Sequence, residues 1–461
     1  MNIPDSGAKI RHPAGVTMQL QGWGRYPQVD ARLIEPSSSS TAIATIKAQG
    51  PQDSLIARGA GRSYGDSALN SCVLGSRLLD NFKALDTESG ILHCGAGLTF
   101  DQLLQVSIPQ GLFPSVVPGT KGVSIGGAIA TDIHGKNHHQ DGSFCDYVDS
   151  FTLLLANGEC KICSPRKNRE LFHATCGGMG LTGIILDATV KLEKVSSVSI
   201  RSRSVSTHNL AHTIEQLECL NSNRFVVAWI DCLASGPKLG RGIIHVGNFH
   251  ETGPLKYQSR RGPAVPFSMP AILLNRYSMK LFNNLYCRMN NKAKADTVQD
   301  YDSFFFPLDR IKHWNRLYGR RGFLQYQILL PLDSAQEGLQ SLLETAASAG
   351  KGSFLAVLKK LGESNRNILS FPGPGLTLAL DFKREASVFP LLNELDRIVI
   401  DHGGRHYLAK DSRLDESVFK AGYPQWKKFK ALKEKVDPTQ CFSSLQSHRI
   451  GLTAKPGSVT S

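Results

Sequence analysis

Apolar and polar residues alternate over short stretches of this chain and recur at three- and four-residue spacing over others. The first pattern predicts strands and the second helices. Between residues 184 and 192, Ile184, Leu186, Ala188, Val190 and Leu192 share one face, and Asp187, Thr189, Lys191 and Glu193 lie opposite. That period of two predicts a half-buried strand. Strands are also expected at 54–58, 91–96, 148–155, 225–230 and 325–330. Helices are expected from Phe100 onward, at 170–175, at 334–347 and at 388–402. Up to residue 195 the strands alternate with glycine-rich turns. A Ser/Arg-rich run at 196–206 then marks a boundary, and an α+β pattern fills 200–400. The last sixty residues regain charge, and the polar tail 453–461 is expected to be disordered.

Composition narrows the class. With 461 residues, 41% hydrophobic and 20% charged, the chain reads as a soluble globular protein of two or three domains. No apolar run reaches 18 residues, so no transmembrane helix is expected. The first fifteen residues lack the apolar stretch and cleavage site of a signal peptide. Ten scattered cysteines then read as reduced thiols of a cytoplasmic or peripheral inner-membrane protein, with the periplasmic face left open. Cys160 and Cys163 form a CxxC, but they follow the turn pair Asn157-Gly158 and read as a hairpin strand. No metal site is expected.

The net charge of +14 calls for anionic partners. Zinc-finger spacing, an RNP motif and a helix-turn-helix signature are all missing, so nucleic acid is not the expected partner. Phosphate-bearing ligands and a lipid surface account for the charge better. Residues 252–295 hold eight Lys/Arg and no Asp/Glu, interleaved with Phe267, Leu281, Phe282 and Leu285. This stretch reads either as a solvated connection or as a basic, partly apolar surface for anionic lipid.

Candidate chemistry concentrates in glycine loops. Residues 118–144 pack Gly119, Gly122, Gly126, Gly127, Gly135 and Gly142 around His134, Lys136, His138 and His139. Glycine lets backbone N–H groups approach a ligand closely, and the cluster adds donors and titratable groups. His138 and His139 are expected to be structural. A second loop, RGAGRSYGD at 58–66, follows a predicted strand and can wrap a pyrophosphate. Gly178, Gly180 and Gly183 match GxGxxG. However, a helix precedes them and a strand follows, the reverse of a dinucleotide-binding Rossmann turn.

The loops RGAGRSYGD, PGTKGVSIGGAIATDIHGKNHH and GGMGLTGII resemble the FAD-binding PCMH domain of the vanillyl-alcohol oxidase superfamily. More narrowly, the chain resembles the decaprenylphosphoryl-β-D-ribose 2-oxidase family. LxGWGR at 20–25, PKLGR at 237–241, GFLQYQ at 322–327, SFPxPG at 370–375 and YxAKDSR at 407–413 carry that match across nearly the whole chain. The resemblance implies an α+β, two-domain flavoprotein. A PCMH-type FAD-binding domain would use 1–195 and take back 404–461, and an antiparallel-sheet substrate domain would use 196–403. It also implies oxidation of the 2-hydroxyl of a polyprenylphosphoryl ribofuranose. A short-chain keto-reductase partner would then complete an epimerisation to the arabino form. Peripheral membrane contact would fit the lipid-linked substrate.

Matched position by position, the flavin-contacting residues are Ala57, Arg58, Gly59, Ala60, Gly61, Arg62, Ser63, Tyr64, Gly65, Asp66 and Ser67 in the first loop. The second loop contributes Gly119, Ser124, Ile125, Gly126, Gly127, His134, Gly135, Lys136 and Asn137, and Ile185 and Tyr407 complete the set. Lys410 matches the family's active-site lysine, whose ammonium holds the sugar oxygen or stabilises negative charge on the flavin. Tyr64 and His134 match further catalytic positions. Trp229, Gln325, Gln327 and Lys359 match substrate positions. By pattern alone, Trp229 reads as core and the two glutamines as one strand face. The loop from Ala57 to Asn70 has no histidine and HGKNHH has no cysteine, so FAD is expected to be non-covalent. Phe305, Thr377 and Ala379 depart from mycobacterial relatives, which carry Tyr, Asn and Cys there, all expected near the sugar. A soluble sugar, sugar alcohol or aldonolactone is therefore the alternative substrate. The electron acceptor, oxygen or quinone, stays open.

Overall fold

The structure is a computed structural model. It describes residues 15–50, 53–259, 262–270, 274–290, 294–353 and 355–454. The expected disordered tail lies largely outside these residues.

Three sheets occupy the described part of the first 195 residues, the smallest pairing Leu112–Phe113 with Glu193–Lys194. A four-stranded sheet runs in the order Val16–Gln21, Gln28–Ile34, Cys72–Gly75, Ile56–Arg58, with its first pair antiparallel and the others parallel. A five-stranded antiparallel sheet runs Phe82–Asp86, Ile91–Gly95, Ile184–Lys191, Val148–Leu154, Cys160–Cys163. In the strand Ile184–Lys191, Ile184, Leu186, Ala188 and Val190 are all buried, but they do not share one face: Ile184 and Leu186 pack in one core cluster and Ala188 and Val190 in another. A register shift between Ile185 and Asp187 switches the alternation, so Ile185 joins Ala188 and Val190. Cys160 is exposed and Cys163 buried, the alternation of a plain strand. Among the described residues no group of His, Cys, Asp and Glu can hold a metal.

An eight-stranded antiparallel sheet follows. Its order is Lys294–Asp300, Ser199–Thr207, Gly242–Phe249, Phe225–Ile230, Ala356–Leu361, Gly375–Lys383, Phe323–Pro331, Arg405–His406. Its two faces differ in chemistry because side chains alternate along each strand. Leu324, Tyr326, Ile328 and Leu330 point to one face with Leu376, Leu378, Leu380 and Phe382. There they pack against the helices Leu332–Ser348 and Val388–Asp401. Each fully buried leucine contributes roughly 1.5–3 kcal/mol. The opposite face carries Gln325, Gln327, Lys359, Thr377, Ala379 and Asp381, brought level by the pairs Gln325↔Asp381, Gln327↔Ala379 and Lys359↔Thr377.

The C-terminal segment ties the two halves together. The Leu55 N–H donates to the Cys441 carbonyl at 2.7 Å, and the Ser443 N–H to the Leu55 carbonyl at 3.0 Å. Arg449 pairs with Asp66 at 2.7 Å and with Asp411 at 2.9 Å. The Tyr64 N–H donates to the Ala409 carbonyl at 3.0 Å. Residues 405–411 therefore run from the edge of the large sheet to the first glycine loop.

Candidate active site

A cavity of ≈ 680 Å³ lies between the glycine loops and the polar face of the large sheet. Its size falls in the range of small-molecule and cofactor sites. One wall is glycine-rich backbone. Gly59 lies so close to the second loop that an added Cβ would meet Ser124 Oγ at 2.2 Å. Gly61 has φ +66°, a left-handed conformation that glycine adopts without strain. Ser124 Oγ accepts from the Gly127 N–H at 3.3 Å and fixes the turn into the helix Ile125–Thr131. The Arg62 guanidinium stacks 4.5 Å over Trp23 and donates to the Gly122 carbonyl, linking both loops.

The opposite wall is rich in buried titratable groups. Burial lowers the Lys410 ammonium to about 7, with Asp381 opposing the shift and Lys359 adding to it. Its Nζ lies 3.9 Å from the Tyr64 ring centre. Lys359 is lowered to about 8 by burial. Burial, and then Asp381, raise the Tyr64 phenol well above its usual value, so it stays protonated. Burial and the nearby Lys359 push His134 well below the usual imidazole range, so it stays neutral. Its Nε2 faces the Gln327 amide at 3.0 Å, which as the donor leaves the ring proton on Nδ1. That Nδ1 is buried without a partner. Gln327 also reaches Thr377 Oγ1 at 3.2 Å. The Tyr407 hydroxyl donates to the Thr131 carbonyl at 3.1 Å, and its ring stacks on Phe371.

Asp381, which the sequence reading did not single out, organises this wall. It accepts from Gln325 Nε2 at 2.6 Å and from the Tyr318 hydroxyl at 3.2 Å. Burial raises its carboxyl to about 6, against the pull of Gln325 and Lys410. The signal was available: Asp381 shares a period-two face with Thr377 and Ala379. Trp23 and Trp314 also line the cavity, as do Met179, Gly180 and Gly183 from the GxGxxG segment. That segment reaches the cavity as a bend between a helix and a strand.

Most positions matched through the resemblance line this cavity, including Ala57, Gly59 to Tyr64, Ser67, Gly119, Gly126, Gly127, Ile185, Gln325 and Lys359. Others sit outside its lining. Arg58 donates to the Gln21 and Ala68 carbonyls. Gly65 is pressed against the Asp411 backbone, and Asp66 is paired with Arg449. Ile125 is core. Gly135 packs beside Asn137, and Asn137 donates to the Ser115 carbonyl. Lys136 donates to the carbonyls of Phe304 and Phe305 and is lowered to about 7 by burial. Trp229 is buried against Tyr286, with ring centres 4.7 Å apart. Of the three departures, Thr377 and Ala379 line the cavity. Phe305 lies in an aromatic core with Phe113 and Phe225, away from the place expected for it.

The tight glycine cradle and the unpartnered His134 N–H suit a flat, phosphate-bearing cofactor with acceptor atoms. Residues 31–164 match the FAD-binding domain family, and residues 376–450 match the D-arabinono-1,4-lactone oxidase family. Fold and site thus define an FAD-dependent oxidoreductase. The chain is 36% identical to the decaprenylphosphoryl-beta-D-ribose oxidase of Mycolicibacterium smegmatis, over 95% of this chain and 98% of that protein. It is also 31% identical to an uncharacterized Streptomyces coelicolor protein, over 77% of this chain and all of the relative. A D-arabinono-1,4-lactone oxidase of Yarrowia lipolytica shares 33% identity over 21% of this chain and 18% of its own length. The chain belongs to the decaprenylphosphoryl-β-D-ribose oxidase family.

Proposed function

We propose that this protein oxidises the 2-hydroxyl of a polyprenylphosphoryl ribofuranose to the 2-keto sugar. The observation that carries the reading is Lys410, a buried lysine brought to about 7 on a polar wall opposite the glycine cradle. Bound FAD supplies the two-electron acceptor for the hydride that leaves the carbinol carbon. The hydroxyl proton goes to the neutral amine of Lys410, and the C–O bond becomes a carbonyl. A lysine near neutrality is suited to that step. Lys359, lowered only to about 8, remains largely cationic at neutral pH and holds a sugar oxygen. Protonated Tyr64 and neutral His134 act as hydrogen-bond donors. Asp381 orients Gln325 and keeps Lys410 from falling further.

The loop from Ala57 to Asn70 has no histidine and HGKNHH no cysteine, which supports FAD held non-covalently. Residues 1–195 with 404–461 form the flavin-binding part, and 196–403 form the substrate part. The 2-keto product calls for a keto-reductase to complete the epimerisation. Among the described residues no helix is long and apolar enough to cross a membrane. A lipid-linked substrate would be met at a membrane face. The test is anaerobic reduction of the flavin by a farnesylphosphoryl ribose.

The match of residues 376–450 to the D-arabinono-1,4-lactone oxidase family favours a second reading, oxidation of a soluble sugar or aldonolactone. That enzyme would turn over free sugars without detergent or lipid.

A further inference from the structure

The helix Arg276–Asn290 is attached to the large sheet the wrong way round for a helix that meets only water. Surface helices normally turn their apolar stripe to the core. Here the buried side sets Met279 on the sheet's core and adds several polar contacts. Asn283 is fully buried and donates to Asp231 Oδ1 at 2.7 Å. Asp231 is paired in turn with Arg241 at 2.7 Å, and Arg241 donates to Asn284. Tyr286 packs on Trp229 from the same side. At 3.6 residues per turn, the residues at 277, 281, 285 and 289 form one stripe on the far side. They are Tyr277, Leu281, Leu285 and Met289, exposed by 83, 62, 48 and 77%. Arg276, Lys280 and Arg288 are also exposed on this helix, and residues 252–295 contain no Asp or Glu.

The helix also adjoins one side of the cavity wall. Leu274, two residues before it, packs on the aromatic cluster of Trp314, Tyr318 and Phe323, which Trp23 and Tyr64 complete. Trp23, Tyr64 and Trp314 line the cavity.

We propose that the stripe Tyr277/Leu281/Leu285/Met289 is a docking surface for an anionic lipid bilayer. The helix lies in the headgroup plane, with the apolar stripe inserted and Lys280 and Arg288 on lipid phosphates. An exposed apolar stripe with Arg288 within it, Lys280 at its edge and low overall hydrophobicity fits the pattern of interfacial helices. Its charge complements an anionic leaflet. Docking there brings the Trp23, Tyr64 and Trp314 side of the cavity near the membrane from which a polyprenyl chain would enter. That last link rests on the substrate proposed above; the docking surface does not.

The test is pelleting of the full flavin-loaded protein with vesicles of equal parts phosphatidylglycerol and phosphatidylcholine, beside vesicles of phosphatidylcholine alone. The parent protein should pellet with the anionic vesicles and stay in solution with the neutral ones. Leu281→Glu with Leu285→Glu should lower the bound fraction about tenfold or more, and Lys280→Glu with Arg288→Glu should lower it too. Flavin content and circular dichroism verify that each variant is folded. Equal pelleting of parent and folded variants overturns the proposal, as does equal binding to neutral vesicles. If the parent ignores vesicles and the apolar variant converts a dimer to a monomer, the stripe belongs to a second copy of the chain. The assay contains no sugar. Vesicle binding without oxidation of a lipid-linked ribose would keep the docking surface and sink the substrate.

Discussion

Substitution of Lys410 separates two roles for one side chain. If its amine accepts the hydroxyl proton, the rate follows the amine fraction. With the group at about 7, that fraction is about one eleventh at pH 6, one half at pH 7 and ten elevenths at pH 8. Flavin reduction at subsaturating substrate should therefore rise about tenfold from pH 6 to pH 8 and level off above. Lys410→Met removes the base and should slow reduction by about 10²–10⁴, with this limb lost. Lys410→Arg keeps a cation at every accessible pH. It should be nearly as slow as the methionine variant if Lys410 is a base, and nearly as fast as the parent if only its charge matters. Anaerobic stopped-flow measurement of flavin bleaching across pH reads all three. Bound flavin in each variant serves as the folding control. A flat profile in the parent, or an arginine variant within about threefold of it, would refute the base assignment.

Asp381→Asn removes the carboxylate that favours the Lys410 ammonium, so the same limb should move to lower pH while flavin stays bound. An unmoved limb would separate the two groups. Gly59→Val drives a side chain into Ser124 and should spread the two loops. FAD binding should weaken by about tenfold or more, read as flavin per protein after gel filtration. Lys433 and Asp437 form a buried pair at 2.8 Å, and Asp437 also accepts from the Cys441 and Phe442 N–H groups. Asp437→Ala should cost about 3–5 kcal/mol and loosen the C-terminal return, measured by denaturant unfolding of the holoprotein.

Local pattern carried much of the fold. The strand Phe323–Pro331 was legible because it turns an apolar face to a core, which forces a period of two into the sequence; Ile184–Lys191 was legible as a strand, but the bulge that divides its apolar residues between two cores was not. The glycine loops were legible because close backbone approach excludes a Cβ, as at Gly59. Side-chain direction across distant segments was not legible. Asp381 meets Gln325 only through the register of two strands. Lys136 lies in the specific HGKNHH motif yet bonds the carbonyls of Phe304 and Phe305, a contact that nothing local encodes. Phe305 joined the aromatic core for the same reason. The stretch 252–295 was legible as basic and apolar. What the fold added is that Asn283 pins its helix by a polar contact and leaves the apolar stripe outside.

The most direct test of the central claim is anaerobic titration of the purified protein with farnesylphosphoryl β-D-ribofuranose, beside its arabino epimer, free pentoses and aldonolactones. The flavin should bleach with the lipid-linked ribose, and acid precipitation should release it into solution. Flavin that is bound but bleached by a free sugar or an aldonolactone, and not by the lipid-linked ribose, would contradict the account.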